Sequence, residues 1–193
     1  MAKKNYGQIT GFASPFLETI RMKKITKMVK GGDILDYGCG YGTFCEVLPF
    51  KTYTGVDSDN SVISDAKERY SGLKNVNFYS IDEFGLLLEQ YDFIILSAVL
   101  EHFKDPMLIL KILKDRLRYH GKIIITTPTH FGNCILNFGS KVGIFSRRAF
   151  EEHNRILSKK DFDEIAKNLD LDVNKYSTFE WGLNQLVVLS RED

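Results

Sequence analysis

From residue 33 to residue 44 the chain reads Asp-Ile-Leu-Asp-Tyr-Gly-Cys-Gly-Tyr-Gly-Thr-Phe. A short apolar strand carries an acid, Asp36, and runs into a turn with glycine at 38, 40 and 42, followed by the start of a helix. Glycine at alternate positions leaves the backbone bare. A ligand can then approach the N–H groups at the helix start without meeting side chains. The next apolar run ends in Asp57, nineteen residues past Gly38. A carboxylate there is the right kind of group to hold ribose hydroxyls. Together these features point to an adenosine-containing cofactor. A dinucleotide turn is spaced G-x-G-x-x-G. Here the third glycine comes one residue early and an acid precedes the first.

The rest of the chain alternates strand and helix, which predicts a parallel sheet with helices on both faces. Residues 14–29 read as a helix, with Ser14 as a cap, Pro15 in the first turn, and Gly31-Gly32 after its end. Strands are expected at 33–37, 52–57, 76–80, 91–97 and 122–127, and a helix at about 60–70. The fourth run is continuously apolar, as in a strand buried on both faces. Asp105-Pro106 opens a helix with Leu110, Leu113 and Leu117 on its apolar side, and Gly121 is expected to stop it. Residues 128–157 mix glycine, aromatic and basic residues, and short helices are expected there. Ser158-Lys159-Lys160-Asp161 resembles a capping box at the start of a helix with Phe162, Ile165, Ala166 and Leu169. Two closing strands, 172–179 and 184–190, should pair as an antiparallel hairpin.

A length of 193 residues with 26% charged residues and a net charge of +1 describes one ordinary globular domain. No charge excess points to nucleic acid or a membrane surface, and no apolar run is long enough to span a bilayer. The first residues, Met-Ala-Lys-Lys-Asn, lack the apolar core of a signal peptide. Cys39, Cys45 and Cys134 are odd in number and not spaced as a zinc site, so no metal is expected and the expected setting is a reduced cytoplasm.

The acid-preceded glycine turn resembles the first motif of the class I S-adenosylmethionine-dependent methyltransferases, and the element order resembles their fold over nearly the whole length. The resemblance implies an α/β, three-layer, Rossmann-like fold with a mostly parallel seven-stranded sheet and an antiparallel C-terminal hairpin. It implies S-adenosylmethionine as cofactor. Gly38, Gly40 and Gly42 would face its methionine end, Asp36 its ammonium and Asp57 its ribose. By the same resemblance Asp82 would accept from the adenine amino group, Ile81 would lie against the ring, and Ser97 would line the cofactor site. Residues 1–30 would form a helical lid, with Tyr6 or Phe12 closing the site and Arg21 meeting the cofactor carboxylate in a bidentate contact, and 128–157 an insertion on the substrate side.

Glu101-His102 followed by Asp105-Pro106 resembles a second signature of small-molecule members of that family, just after strand four. It implies His102 near the sulfonium, as a general base or as a shaping residue of the pocket. Glu151-Glu152-His153 resembles an acid-His element that precedes a helix and the final hairpin in bacterial and archaeal members, which makes His153 the second candidate base. His130 is a third position on the same rim, while His120 is expected at a helix end in a structural role. Arg147-Arg148 and Lys159-Lys160 read as small basic pairs, ordinarily solvated. The expected reaction is methyl transfer to an oxygen, nitrogen or carbon of a small molecule, with an apolar part suggested by Phe138, Phe145 and their neighbours. A non-catalytic S-adenosylmethionine-binding regulator or partner protein, and a nicotinamide-dependent oxidoreductase, are the alternative readings.

Overall fold

The computed structural model describes residues 14–141 and 155–191. Its centre is a seven-stranded sheet in the order β3-β2-β1-β4-β5-β7-β6. The strands are β1 (Asp33–Tyr37), β2 (Thr52–Asp57), β3 (Val76–Ser80), β4 (Tyr91–Ser97), β5 (Leu117–Pro128), β6 (Asp172–Phe179) and β7 (Asn184–Ser190). β1 through β5 pair in parallel, and β7 runs antiparallel to both β5 and β6. Strand order reverses beside β1, with β2 on one side and β4 on the other, and a parallel sheet offers its ligand crevice at such a point. The expected sheet and C-terminal hairpin are therefore present.

Helices cover both faces. One face carries α1 (Ser14–Thr26) and α2 (Asn60–Arg69), where Ile25, Ile63 and Ala66 pack with Ile34, Tyr53, Phe78 and Ile124. The other face carries α4 (Pro106–Lys114) and the C-terminal helix, numbered α6 here (Lys159–Asn168), after α3 (Ile81–Gly85) and α5 (His130–Lys141). There Leu110, Leu113, Phe162, Ile165 and Ala166 meet Leu35, Ile94 and Ile123. The capping box at the start of α6 forms as read. The Ser158 hydroxyl accepts from the Asp161 N–H, and the Asp161 carboxylate accepts from the Ser158 N–H.

Four local expectations need correction. The segment after the glycine turn is only a short 3-10 turn, Thr43–Glu46, rather than an α-helix. Pro49 follows closely, and it lacks the N–H that a continuing helix would need. α1 ends at Thr26, not 29; beyond it the Met28 N–H bonds back to the Ile25 carbonyl at 2.8 Å in a tighter turn. The helix after Asp105 ends at Lys114, so Leu117 lies in β5 and Gly121 stops no helix. His120 likewise sits within β5, in a left-handed conformation (φ 62°), where the pairing with β4 is irregular. Tyr91 pairs with Leu117 but Phe93 pairs with Lys122, so the extra residues of β5 loop out between them.

Gly121 serves that irregularity by close approach. A Cβ there would lie 2.8 Å from the Arg118 carbonyl oxygen and 2.8 Å from the Leu117 side chain. Gly121→Ala is therefore expected to destabilise the fold by about 1–3 kcal/mol, the usual cost of overpacking. Thermal unfolding should show a drop of several degrees, with cofactor affinity unchanged.

Candidate functional site

The glycine turn crosses the C-terminal end of β1, and β2 holds it in place. The Gly38 and Cys39 N–H groups both donate to the Val56 carbonyl, at 2.7 and 2.9 Å. The Gly40 N–H donates to Asp57 Oδ2 at 2.9 Å, while Asp57 Oδ1 accepts from the Asp59 N–H at 3.0 Å. Asp57 thus shapes the turn that it was expected to sit beside. Each of its oxygens keeps lone-pair capacity for a further donor. Gly38 is required twice over. Its φ is +82°, and a Cβ would stand 2.3 Å from a Val99 methyl group. At Gly40, by contrast, a Cβ would meet nothing within 4 Å, so the turn faces open space there.

Asp36 lies in β1 between Gly55 of β2 and Ile95 of β4, fully shielded from solvent. Its Oδ2 accepts a 2.5 Å hydrogen bond from the Tyr53 hydroxyl, and its Oδ1 is buried with no partner. Burial pushes its carboxyl up to about 7; the Tyr53 bond opposes the rise, and the charge of Asp57 adds to it. A buried carboxylate oxygen without a partner fits a cofactor that brings its own cationic donor. Beside the turn, Cys39 and Cys45 are buried thiols, both pushed up by burial, Cys45 to about 11, so neither is an activated nucleophile.

Ile81 and Asp82 open α3 directly after β3, and both are exposed. Ser80, not Asp82, caps that helix, with Glu83 completing the capping box. Asp82 therefore has no capping duty. Ser97 ends β4 beside Thr126 of β5, whose hydroxyl donates to it at 3.4 Å. Glu101 and His102 follow in a short 3-10 turn, Leu100–His102. His102 is exposed, whereas Glu101 is buried with Oε2 unpartnered. Burial raises the Glu101 carboxyl; its own backbone N–H, His102, Thr127 and Arg21 pull the other way.

The hairpin between β6 and β7 turns at this same end of the sheet, since Pro128 of β5 pairs with Asn184 of β7. Glu180 there is buried, with Oε1 unpartnered and its carboxyl raised by burial, against the bond from Asn184 and the charge of Arg21. Arg21 thus acts electrostatically on both Glu101 and Glu180. Thr129, ahead of α5, anchors to the turn: its N–H and hydroxyl bond to the carbonyls of Leu183 and Gly182. Trp181, Phe131 and Ile135 are exposed apolar residues of these two joined segments. His130 is exposed at the start of α5.

One edge of the sheet therefore carries Gly38, Gly40, Gly42, Asp57, Ile81, Asp82, Ser97 and His102, with Asp36 inside β1 just below it. His153, Tyr6, Phe12, Arg147 and Arg148 lie outside the described residues. Nothing in the linear sequence singled out Tyr53 or Glu180. The link from Tyr53 to Asp36 needs the β1–β2 register, in which Ile34 pairs with Tyr53, and Glu180 needs the hairpin folded back onto β5. Among the described residues no group of His, Cys, Asp and Glu is placed to hold a metal ion.

Residues 12–176 match the family described as the methyltransferase domain, and the chain belongs to that family. It is 30% identical over 119 residues to the ubiquinone biosynthesis O-methyltransferase of Coxiella burnetii, a match covering 58% of this chain and 50% of that protein. The chain thus spans about half the length of the curated relative it matches. The plantazolicin methyltransferase BamL, solved with a triazolic desmethyl-plantazolicin analogue and S-adenosylhomocysteine, superposes with a TM-score of 0.72 at 15% identity, covering 94% of this chain and 88% of that one. An S-adenosylmethionine-dependent methyltransferase from Clostridium acetobutylicum gives a TM-score of 0.67 at 17% identity, covering 91% and 90%. By family this is a methyltransferase domain, and its fold is that of the methyltransferase structures above, one of them S-adenosylmethionine-dependent and one solved with S-adenosylhomocysteine.

The Asp36 carboxyl gives the fold a pH signature. In the folded chain it keeps its proton up to about pH 7, whereas its ordinary value is 3.8. The stabilisation from that proton is complete below the ordinary value and lost as pH rises through the folded one. Asp36→Asn carries no charge to bury. It is expected to be more stable than the wild type at about pH 8 by on the order of 2–4 kcal/mol, and so to melt at a higher temperature, with the gain shrinking toward about pH 5. Thermal unfolding of both proteins across pH checks this.

Proposed function

We propose that this protein transfers the methyl group of S-adenosylmethionine to a small organic acceptor. The observation that carries the reading is the C-terminal edge of the sheet. A glycine turn held on Asp57 lies there, where strand order reverses, directly above a buried carboxylate with a free oxygen. In this reading Asp36 Oδ1 accepts from the cofactor's ammonium. Gly40 lets the methionine arm lie against bare backbone, in a turn that Gly38 and Gly42 allow to pack closely on Val99 and Phe78. Asp57 takes the ribose hydroxyls with its remaining lone pairs, Asp82 the adenine amino group, and Ile81 the ring face. Ser97 lines the path toward the acceptor. Bound S-adenosylmethionine supplies a methyl group activated by a sulfonium, which an oxygen, nitrogen or carbon nucleophile displaces in line.

The chain's contribution is to position the two partners and exclude water. His102, exposed beyond β4, is the group we assign to take a proton from an acceptor hydroxyl or amine, with His153 as the second candidate. Residues 1–30 are read as the lid and 128–157 as the acceptor side. Trp181, Phe131 and Ile135 supply apolar surface on that side, which suits an acceptor with an apolar part. The O-methyltransferase named above makes hydroxylated small molecules the first class to screen. We assign the protein to the reduced cytoplasm; its described cysteines are free, and no described helix is long and apolar enough to cross a membrane.

Isothermal titration with S-adenosylmethionine, S-adenosylhomocysteine and NAD tests the cofactor. Binding of the two sulfur nucleosides without NAD is the expected result; binding of NAD alone would overturn the reading. Asp57→Ala should weaken binding by about 1–3 kcal/mol, because the turn loses its anchor and the ribose its acceptor. His102→Ala should leave cofactor affinity unchanged and slow transfer to a screened acceptor by about 10²-fold or more if His102 is the base. Loss of cofactor binding would instead make it part of the pocket wall.

A further inference from the structure

We propose that Tyr53 is a positioning residue for the cofactor: its phenol grips Asp36 by one carboxylate oxygen and leaves the other free for the cofactor's α-ammonium. This rests on the reading of Asp36 given above. Tyr53 is fully buried in β2 and pairs with Ile34, so two residues further along β1 its ring lies on the same face as Asp36. The residue directly opposite Asp36 is Gly55. A Cβ at Gly55 would lie 2.5 Å from the Phe78 ring and 2.9 Å from the Cys39 sulfur, so its absence lets both pack in beside the carboxylate. Phe78 meets the Tyr53 ring edge-on at 5.8 Å between centroids, and Phe50 packs against it at 5.7 Å. These contacts fix the direction of the phenol.

The hydrogen bond answers a need of both groups. A buried phenol requires an acceptor, and a buried carboxylate requires a donor. Core packing alone would be served as well by phenylalanine. The titratable groups around Asp36 are Asp57 on the neighbouring strand end, Tyr53, Cys39 and Cys45. None of them brings a positive charge. The Tyr53 hydroxyl is therefore what steadies the ionised carboxylate before a cationic ligand arrives. Because one oxygen is held, the carboxylate cannot rotate away, and Oδ1 keeps a fixed place under the glycine turn.

The test compares two probes, S-adenosylhomocysteine and 5′-methylthioadenosine, which lacks the amino-acid arm. Titrations of the wild type and of Tyr53→Phe are run between about pH 6 and pH 9. Without the phenol the ionised carboxylate loses its donor, so the midpoint of S-adenosylhomocysteine binding should rise by about one pH unit. The affinity should fall roughly tenfold at about pH 6 and about threefold at about pH 7.5, and the gap should close toward about pH 9. Binding of 5′-methylthioadenosine should be equal in both proteins at every pH. A second arm uses Asp36→Asn, to which adding Tyr53→Phe should bring no further loss of S-adenosylhomocysteine affinity.

An unmoved midpoint would overturn the proposal, as would a parallel loss of both probes or a further loss in the double variant. A wild type whose preference for S-adenosylhomocysteine over 5′-methylthioadenosine does not vary with pH would remove Asp36 from the ammonium, and the proposal with it. A wild type that binds neither probe would defeat the functional reading itself.

Discussion

Three backbone N–H groups decide the shape of this site. Gly38 and Cys39 give theirs to the Val56 carbonyl, and Gly40 gives its own to Asp57. The end of β1 is thereby sewn to the end of β2, and the chain is bent back before it can run on as a strand. Everything else at the edge follows from that bend. Gly38 passes under Val99, which ties the turn to the segment after β4. Asp36 is left below the turn, still paired between β2 and β4 and one residue short of the strand's end. The short 3-10 turn and Pro49 then return the chain to the start of β2.

Most of the fold was legible because its signals are local. The bounds of β1 to β4 follow from apolar runs closed by turn residues, and those of β6 and β7 from two strand-like segments four residues apart, of which β7 is the apolar one. The capping box at Ser158 needs only four consecutive residues. Where the reading failed, a contact distant in sequence had overridden a local preference. Gly121 looked like a helix stop because glycine so often ends a helix after a proline start. It is instead a packing requirement inside β5, imposed by Arg118 and Leu117 once β5 pairs with β4. The apolar periodicity of α4 seemed to include Leu117, since a buried strand residue and a buried helix residue look alike in a short window. In the candidate site, the residues on the strand ends could be picked out from the sequence, since turns and acids there have recognisable spacing. Their supports could not. Tyr53 reaches Asp36 across a register, and Glu180 arrives from a hairpin made over 120 residues after β2.

The edge is also where the molecule departs from economy. Asp36, Glu101 and Glu180 are each buried with one carboxylate oxygen lacking a partner. A fold selected for stability alone would replace such groups with apolar residues of similar size. Their clustering at the C-terminal edge divides it in two. Asp36 stands beneath the glycine turn, while Glu101 and Glu180, after β4 and in the hairpin, both feel the charge of Arg21. Elsewhere there are charged pairs at the surface, such as Arg69 with Glu46 and Lys159 with Asp163, where little is gained and little lost.

The bonded state of the glycine turn has a kinetic consequence. Its amides at 38, 39, 40 and 42 already have acceptors in the free chain, Gly42 through the Cys39 carbonyl. A ligand that settles on this turn therefore organises nothing new there, and its arrival carries little ordering entropy. Backbone amides of this kind exchange with deuterated solvent slowly whether or not the crevice is filled. The protection that a ligand adds is thus expected outside the turn, which stays the rigid floor of the crevice.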